Sequence, residues 1–407
     1  MRVKILQIAP AWVNTPPTDY GGTEWVIYNL VKGLTELGHD VTLFATKNSQ
    51  APANLEYVFE KNLLEQGIDW RFALPSLIHY HQAFKLAPEF DIVHAHLSSD
   101  TDLMLLPFLS DLTESSIPNV MTIHSHFPFD LHSQMDSYYL NYYASNITAI
   151  NISKAMQARM PREFWDGGFV HNSLDLSAYK FNPNGGDYFT WLGKIIPAKG
   201  ISEAIKAALQ AHEKLVFAGV VDEYEPVSVE YWKKKVEPFV DGKQIIYLGP
   251  ADLKVKNKLL GGAKAFLNPI SWDEPFGMVL VESMACGTPV ISYSRGAVLE
   301  LIKDGKTGFL VNNPTDLIEA MKKVNRLERK DSRVNIEQNF SIQASTLKYL
   351  NAYRKEIHKH QLGIDDEVII PSVQTTSLLV DPDSIGVQYN SPSIAHTLTI
   401  RPPKKKS

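Results

Sequence analysis

Short apolar segments alternate with amphipathic helices along this chain, and this alternation most constrains its fold. Residues 3–9 predict a buried strand, residues 10–22 a loop rich in Pro, Thr and Gly, and residues 23–37 a helix. Apolar residues recur at helical spacing on that helix, and a second strand is predicted at residues 40–46. A strand, loop, helix and strand in this order form a crossover unit of a parallel sheet. In such sheets, the loops at the carboxyl ends of the strands line the ligand cleft.

The alternation starts again in the second half of the chain. Residues 175–187 are polar, lose the periodicity and contain a Pro and a Gly pair, which predicts a domain junction. Strands before the junction are also predicted at residues 91–96, 120–124, 146–152 and 169–172. After it, strands are predicted at residues 188–192, 215–218, 244–248, 265–269, 290–293 and 308–311, with helices at 201–212, 314–327 and 342–358. The sequence therefore predicts an α/β protein with two doubly wound domains.

Composition and charge narrow the classes of function. The net charge of -5 argues against a nucleic-acid partner, which would favour a basic surface. The one cysteine, Cys286, excludes an intramolecular disulfide and suits a reducing compartment. We find neither a signal peptide at residues 1–10 nor an apolar run near the ~20 residues of a membrane span. We therefore expect a cytoplasmic protein, and a peripheral contact with the inner face of the membrane stays open.

Two carboxylates, Glu274 and Glu282, lie on either side of a Pro-Phe-Gly turn. The turn interrupts regular structure, so Glu274 is predicted in a loop, and residues 278–286 predict a short helix that carries Glu282. The start of that helix leaves four N–H groups without intrahelical acceptors, those of Phe276, Gly277, Met278 and Val279. Such a helix end attracts anions, above all phosphates. A phosphate site beside two acceptor carboxylates suits a nucleotide sugar.

Two further loops carry candidate ligand contacts. Lys194 and Lys199 lie in the first strand–helix loop after the junction, where two ammonium groups would neutralise a diphosphate leaving group. Loop lysines are more often simply solvated, so each alone is weak support. Gly21 and Gly22 precede the first helix and form either a tight turn or a close backbone approach to a phosphate or sugar. The pattern G-x-G-x-x-G is missing, so a nicotinamide dinucleotide site is not supported.

Polar residues follow successive predicted strands of the first half, namely His94 and His96, His124 and His126, and Ser153. Because parallel strands end at one sheet edge, we expect these side chains to mark a cleft rather than a core, with His124 as the preferred functional residue. His94 and His96 would point the same way from their strand, as metal ligands do. No cluster of Asp, Glu or Cys accompanies them, so we expect no metal site.

Together, these motifs resemble the retaining glycosyltransferases of family four, which share the GT-B fold of two Rossmann-like domains facing across a cleft. The most specific match is Glu274, seven intervening residues and Glu282, with Pro-Phe-Gly between them and Ala-Cys-Gly-Thr-Pro-Val at residues 285–290. Further matches are the Tyr20-Gly21-Gly22 loop, residues 37–41, residues 91–96, Thr122-Ile123-His124, Ser153 and residues 193–200. The tail beyond Leu362 lies outside the resemblance.

The resemblance implies roles for the residues of the second half. Glu282 would accept hydrogen bonds from the ribose hydroxyls of a nucleotide sugar. Glu274, together with main-chain groups at residues 276–279, would hold the transferred sugar. Lys199 would bind the diphosphate. The family usually has Arg where this chain has Lys194, and a lysine keeps the charge but loses the bidentate geometry.

In the first half, the resemblance places the Gly21-Gly22 loop near the diphosphate and His124 beside the anomeric carbon, with Ser153 among the donor contacts. It implies an acceptor-side domain at residues 1–175 and a donor-binding domain at residues 176–345. A closing helix at residues 346–362 and a tail of unknown role at residues 363–407 would follow.

We therefore predict a retaining glycosyltransferase that moves a hexose from a UDP- or GDP-sugar to a hydroxyl acceptor such as a glycan, a lipid or a small polyol. In this family, the donor phosphate is thought to take the acceptor proton, and neither a metal nor a cofactor is expected. Two alternatives remain: a GT-B nucleotide-sugar epimerase or phosphorylase, and a non-catalytic two-domain sugar-binding protein. An epimerase would need further acid or base groups in the cleft. Phosphorylases of this architecture are generally much longer and hold a pyridoxal cofactor.

Overall fold

Two six-stranded parallel sheets with flanking helices form the frame of the protein, which confirms the predicted α/β class. The computed structural model describes residues 2–18, 21–69, 72–125, 139, 142–143, 147–160, 167–223 and 225–362. Tyr20, His126 and the predicted tail lie outside the described residues. No helix in the described ranges has both the length and the apolar character that crossing a bilayer requires.

The first sheet has the strand order β3-β2-β1-β4-β5-β6. Its strands are β1 (Lys4–Ile8), β2 (Asp40–Ala45), β3 (Asn54–Tyr57), β4 (Ile92–Leu97), β5 (Asn119–Ile123) and β6 (Thr148–Asn151). Its helices are α1 (Gly22–Glu36), α2 (Leu74–Phe84), α3 (Leu106–Glu114) and the short α4 (Lys154–Gln157). Short 3₁₀ turns lie at Ala87–Glu89 and Asp100–Leu105.

The second sheet has the strand order β12-β11-β10-β7-β8-β9. Its strands are β7 (Tyr188–Lys194), β8 (Leu215–Val220), β9 (Ile245–Tyr247), β10 (Ala263–Asn268), β11 (Val290–Tyr293) and β12 (Gly308–Val311). The helices that follow along the chain are α5 (Ile201–Gln210), α6 (Pro226–Tyr231), α7 (Leu253–Gly261), α8 (Met278–Ala285), α9 (Val298–Leu301), α10 (Pro314–Lys323), α11 (Arg329–Asn339) and α12 (Ile342–Leu362). Further 3₁₀ turns lie at Leu176–Ala178, Pro197–Lys199, Glu237–Phe239 and Val324–Arg326, and a π turn at Trp232–Val236.

Most strand predictions match a strand of the structure, in the middle of the sheets and at three of their four edges. β11 and β12 have the predicted bounds, because both are short apolar runs enclosed by turn residues. The predicted strand at residues 169–172 is wrong: Phe169 forms only an isolated bridge to Asn151. The edge strand β3 was missed because it is mostly exposed and carries no apolar run.

α12 lies at the end of the described chain but packs against the first sheet rather than the second. Tyr349, Leu350 and Tyr353 of α12 are buried in a cluster that also contains apolar residues of α1 and β1. The segment before α12 lies beside the connection between the two sheets, since Leu174 N–H donates to the Phe340 carbonyl at 2.9 Å. α12 therefore completes the hydrophobic core of the first sheet.

Candidate functional site

Glu274 lies in the loop between β10 and α8, at the carboxyl end of the second sheet. Its Oε2 accepts a hydrogen bond from Lys199 Nζ at 2.8 Å and one from Trp272 Nε1 at 3.3 Å. The Lys199 ammonium also lies 4.5 Å from the centre of the Trp272 ring, within reach of a cation–π interaction. The Glu274 side chain is only 12% exposed, so the ion pair holds it in a defined position.

α8 begins directly after this loop with free backbone donors. The N–H groups of Gly277, Met278 and Val279 have no acceptor among the residues that the structure describes. Gly277 has φ 97°, and a Cβ there would lie 3.3 Å from Glu274 Cγ, so a glycine is needed at this position. The Phe276 ring is buried against His171, which leaves its main chain as the part available to a ligand. The loop therefore presents an anion-binding helix start beside a carboxylate.

Glu282 lies within α8, as predicted, and is almost fully buried. Its Oε1 accepts hydrogen bonds from Tyr179 OH at 2.8 Å and from Lys256 Nζ at 3.0 Å. Burial and the neighbouring Glu282 raise the pKa of Tyr179, so this phenol stays protonated and acts as a donor. Glu282 is thus a buried acceptor of hydrogen bonds. Neither of its two donors, Tyr179 and Lys256, was predicted from the sequence.

Lys194, at the end of β7, differs from Lys199 in its charge environment. Its Nζ lies 3.0 Å from Asp222 Oδ2 and 3.0 Å from Glu225 Oε1. Burial lowers the pKa of Lys194, but the two carboxylates outweigh this effect and hold the pKa above its ordinary value. Lys194 is therefore a cation whose charge is already balanced, and its predicted contact with a diphosphate stays a prediction.

His124 follows the last residue of β5 and contacts a second histidine. His124 Nε2 lies 3.0 Å from His96 Nδ1, and the His124 N–H donates to Leu97 C=O at 2.9 Å. Its Nδ1 is shielded from solvent and has no hydrogen-bond partner within the described part of the chain. Burial lowers the pKa of His124 to about 3, so the imidazole is neutral near pH 7. The site therefore offers a neutral ring with one unused nitrogen.

His94 and His96 do not line a cleft, so that expectation was wrong. Both side chains are fully buried, and His94 lies beneath α12, where its Nδ1 is 2.6 Å from Tyr353 OH. The sequence could not indicate this, because α12 lies some 250 residues further along the chain. Within the described ranges, no three His, Cys, Asp or Glu side chains come together as a metal site requires.

Ser153, Gly21 and Gly22 take positions at helix starts. Ser153 caps α4, accepting a hydrogen bond from Met156 N–H, and its hydroxyl donates to the Pro275 carbonyl at 2.7 Å. Gly22 is the first residue of α1. Gly21 precedes it, and a Cβ there would lie 2.7 Å from Glu24 Oε2, which explains the glycine by close approach. In this structure Ser153 thus connects α4 to the Glu274 loop.

The sequence did not indicate a second connection between α4 and the second half of the chain, made by Glu300 of α9. Glu300 accepts hydrogen bonds from the N–H groups of Lys154 and Ala155, at 2.9 and 2.7 Å, and from His171 Nε2 at 2.7 Å. Burial raises the pKa of Glu300, but these hydrogen bonds outweigh burial and hold the pKa below its ordinary value. The carboxylate thus caps α4 across the two halves of the chain, a contact without any local sequence signal.

Family comparisons cover both halves of the chain. The family described as "Glycosyltransferase Family 4" matches residues 20–162. The family described as "Glycosyl transferases group 1" matches residues 177–343. The two matches together span about three quarters of the sequence.

Individual relatives are distant. An uncharacterized glycosyltransferase of Methanocaldococcus jannaschii is 24% identical over 316 residues, which cover 74% of this chain and 84% of that protein. Trehalose synthase of Thermococcus litoralis is 29% identical over 178 residues, covering 40% of this chain and 42% of that protein.

Solved structures share the fold at low identity. HepE of Anabaena in complex with UDP has a TM-score of 0.65 and 16% identity, covering 87% of this chain and 100% of that chain. Starch synthase IV of Arabidopsis thaliana bound to ADP and acarbose has a TM-score of 0.68 and 13% identity, covering 88% of this chain and 100% of that chain. These similarities establish the GT-B architecture.

Proposed function

The chain belongs to glycosyltransferase family 4 and is a transferase of the GT-B fold, and we propose that it moves a hexose from a nucleotide-diphosphate sugar to a hydroxyl acceptor with retention of configuration. UDP- and GDP-sugars are the proposed donors, and a glycan, a lipid or a small polyol is the proposed acceptor. The proposal includes no metal ion and no cofactor. The UDP and ADP complexes of the structural neighbours support a nucleotide-linked donor.

The observation that carries this proposal is the Lys199–Glu274 pair beside the free N–H groups at the start of α8. A diphosphate placed there meets an ammonium group and a helix start, both of which favour negative charge. The adjacent Glu274 carboxylate is an acceptor for sugar hydroxyls. The site thus has hydrogen-bond donors for phosphate beside a hydrogen-bond acceptor for hydroxyl groups. These match the diphosphate and the sugar of a nucleotide sugar.

Within this proposal, Glu274 and Glu282 hold the donor and do not act as an acid/base pair. Each carboxylate already accepts a hydrogen bond from an ammonium group, Lys199 in one case and Lys256 in the other. A retaining double displacement would instead need two carboxyl groups facing each other across the scissile bond, ~5 Å apart. We therefore assign the proton of the attacking hydroxyl to the departing donor phosphate, whose charge Lys199 stabilises.

Titration of the protein with UDP-, GDP- and ADP-sugars tests the proposal, with melting temperature and nucleotide release as readouts. We expect at least one donor to raise the melting temperature and to release its nucleoside diphosphate when an acceptor is added. If none of the donors is bound or consumed, the proposed transfer is wrong. Release of an epimerised sugar from donor alone would instead favour the epimerase.

Two variants separate binding from turnover. Glu282→Ala should weaken donor binding, because the ribose hydroxyls lose their acceptor. His124→Ala should leave donor binding intact and lower turnover, because His124 contacts the reacting part of the donor in this proposal. Equal losses of donor affinity in both variants would contradict this division of roles.

A further inference from the structure

A chain of buried hydrogen bonds connects His124 to α12. His124 Nε2 lies 3.0 Å from His96 Nδ1, and His96 Nε2 lies 2.9 Å from Gln7 Oε1. Gln7 Nε2 then lies 2.9 Å from Tyr353 OH, which is 2.6 Å from His94 Nδ1. Gln7, His94, His96 and Tyr353 are at most 1% exposed, so water does not compete for these contacts.

The phenol of Tyr353 determines the direction of this chain, because a hydroxyl has only one proton to donate. Gln7 Nε2 donates to Tyr353 OH at 2.9 Å, which leaves the phenol proton for His94 Nδ1 at 2.6 Å, and His94 Nε2 then donates to Thr122 Oγ1 at 2.7 Å. Tyr353 therefore donates to His94 and accepts from the Gln7 amide. This orients the amide with its oxygen toward His96.

The orientation of Gln7 then determines the proton positions on the two histidines. Gln7 Oε1 is only an acceptor, so His96 Nε2 must carry a proton. In a neutral imidazole the other nitrogen is an acceptor, so His96 Nδ1 accepts a hydrogen bond from His124 Nε2. His124 Nδ1, which has no partner among the described residues, is then left with a lone pair.

We propose that Gln7, His96 and Tyr353 are positioning residues that hold His124 as the Nε2-protonated tautomer, so that its solvent-shielded Nδ1 is an unprotonated acceptor for a substrate hydroxyl. This inference rests on the proposed function for the hydroxyl, but the tautomer itself is a property of the free protein. Burial lowers the pKa values of His94, His96 and His124, in agreement with a chain of neutral rings.

If every donor and acceptor along this chain of hydrogen bonds were exchanged, the number of hydrogen bonds would be the same, but the Gln7 amide would have to rotate by half a turn. Gln7 would then donate to His96, His96 would donate to His124, and His124 Nδ1 would carry a proton and reject a hydroxyl donor. The two arrangements differ in which atom of the Gln7 amide faces Tyr353, and in the structure it is Nε2, which donates to the phenol. A residue of α12 thus helps to set the chemical character of a side chain at the end of β5.

The variant Tyr353→Phe tests this inference, with Tyr349→Phe as a matched control. Tyr349 is equally buried on the same helix, but among the described residues its hydroxyl reaches Thr122, at 3.4 Å, and not Gln7. Thr122 contacts His94 Nε2 at 2.7 Å, so Tyr349 lies beyond the far end of the chain from His124. The tautomer of His124 is read from the ¹⁵N shifts of its imidazole, identified by their loss in His124→Ala. Donor affinity, KM, kcat and melting temperature complete the comparison.

In the wild-type protein we expect an unprotonated Nδ1 on His124. In Tyr353→Phe we expect a mixture of tautomers and a kcat lower by about tenfold, the effect of one hydrogen bond, with donor affinity unchanged. Tyr349→Phe should keep the wild-type tautomer and kcat.

A protonated Nδ1 in the wild-type protein, or the same tautomer in Tyr353→Phe, would overturn the inference. Equal changes in both tyrosine variants would also overturn it, since they would indicate general loosening of α12. If no donor is consumed by any form of the protein, the proposed function fails, while the ¹⁵N shifts still decide the direction of the chain.

Discussion

The ammonium group of Lys199 lies 2.8 Å from Glu274 Oε2, so the loop after β7 meets the loop after β10 through an ion pair. The backbone supports this contact, because Ser271 N–H donates to the Ala198 carbonyl at 3.0 Å. Both loops lie at the carboxyl end of the second sheet, where ligands of open parallel sheets bind. The pair therefore holds a cation, Lys199, and an anionic hydrogen-bond acceptor, Glu274, in place before any ligand binds.

Lys199→Met should weaken the binding of nucleoside diphosphates by about ten- to a hundredfold, because a charge-assisted hydrogen bond to phosphate is lost. Calorimetric titration with the nucleoside diphosphate that binds best, and with its parent nucleoside, measures this effect. Affinity for the nucleoside should change little. Lys194→Met is the control, since two carboxylates, Asp222 and Glu225, hold the ammonium group of Lys194, whereas Glu274 alone holds that of Lys199. The effect of Lys194→Met should stay within about threefold. A larger loss for Lys194→Met than for Lys199→Met would contradict this ranking.

Glu282→Gln should reduce the preference for ribose over 2′-deoxyribose in the nucleoside diphosphate, because a carboxylate acceptor of the ribose hydroxyls becomes a neutral amide. We expect about tenfold weaker binding of the ribonucleotide and a smaller change for the deoxynucleotide. Tyr179→Phe removes one of the donors to Glu282 but keeps the carboxylate, so the preference for ribose should persist. If both nucleotides lose affinity equally in Glu282→Gln, the carboxylate does not contact the ribose.

The fold and part of the site could be predicted because they depend on local patterns. The strand at Val290–Tyr293 is a short apolar run, and Glu274 and Glu282 were placed correctly in a loop and on a helix by the turn between them. By contrast, helix α11 is polar at most positions and shows no apolar face in sequence, so it was missed. Its position is set by contacts with other elements.

Contacts between distant parts of the chain explain the remaining errors. The polarity of His94 and His96 indicated a cleft, but His94 contacts Tyr353 of α12, and His96 contacts the Gln7 side chain that Tyr353 also contacts. Similarly, the carboxylate of Glu300 caps α4 from 145 residues away. Neither the alternation of strands and helices nor any motif contains this information.

Arg329→Met should lower the free energy of unfolding by about 3 kcal/mol, because four acceptors lose their donor in a half-buried position. The guanidinium donates to Asn182 O at 2.8 Å, Ala263 O at 2.7 Å, Gly261 O at 2.9 Å and Thr288 Oγ1 at 2.6 Å. Urea unfolding measures the change. Lys330→Met, at the exposed neighbouring position, should stay within about 0.5 kcal/mol. A comparable loss in both variants would mean that the helix start, and not the guanidinium, determines stability.

Glu24, in the first turn of α1, should make the protein less stable as pH rises toward neutrality. The pKa of Glu24 is raised from 4.5 to about 7. Burial is the largest cause, the hydrogen bond to its own backbone N–H lowers the pKa by less, and the nearby Asp102 adds a smaller increase. Between pH 4.5 and about 7, Glu24 holds a proton in the folded state that it has lost in the unfolded state. Stability therefore falls as pH rises through this window, by about 3 kcal/mol when complete.

Glu24→Gln removes the titrating group but keeps its shape, so the variant should be more stable than the wild-type protein at pH 8 and nearly equal to it at pH 5. Urea unfolding at both pH values measures the difference. Glu36→Gln, at the exposed end of the same helix, should show no such dependence on pH. A wild-type protein that is the more stable of the two at pH 8 would indicate that the ionised Glu24 has a stabilising partner, and the assignment of a raised pKa to burial would then be wrong.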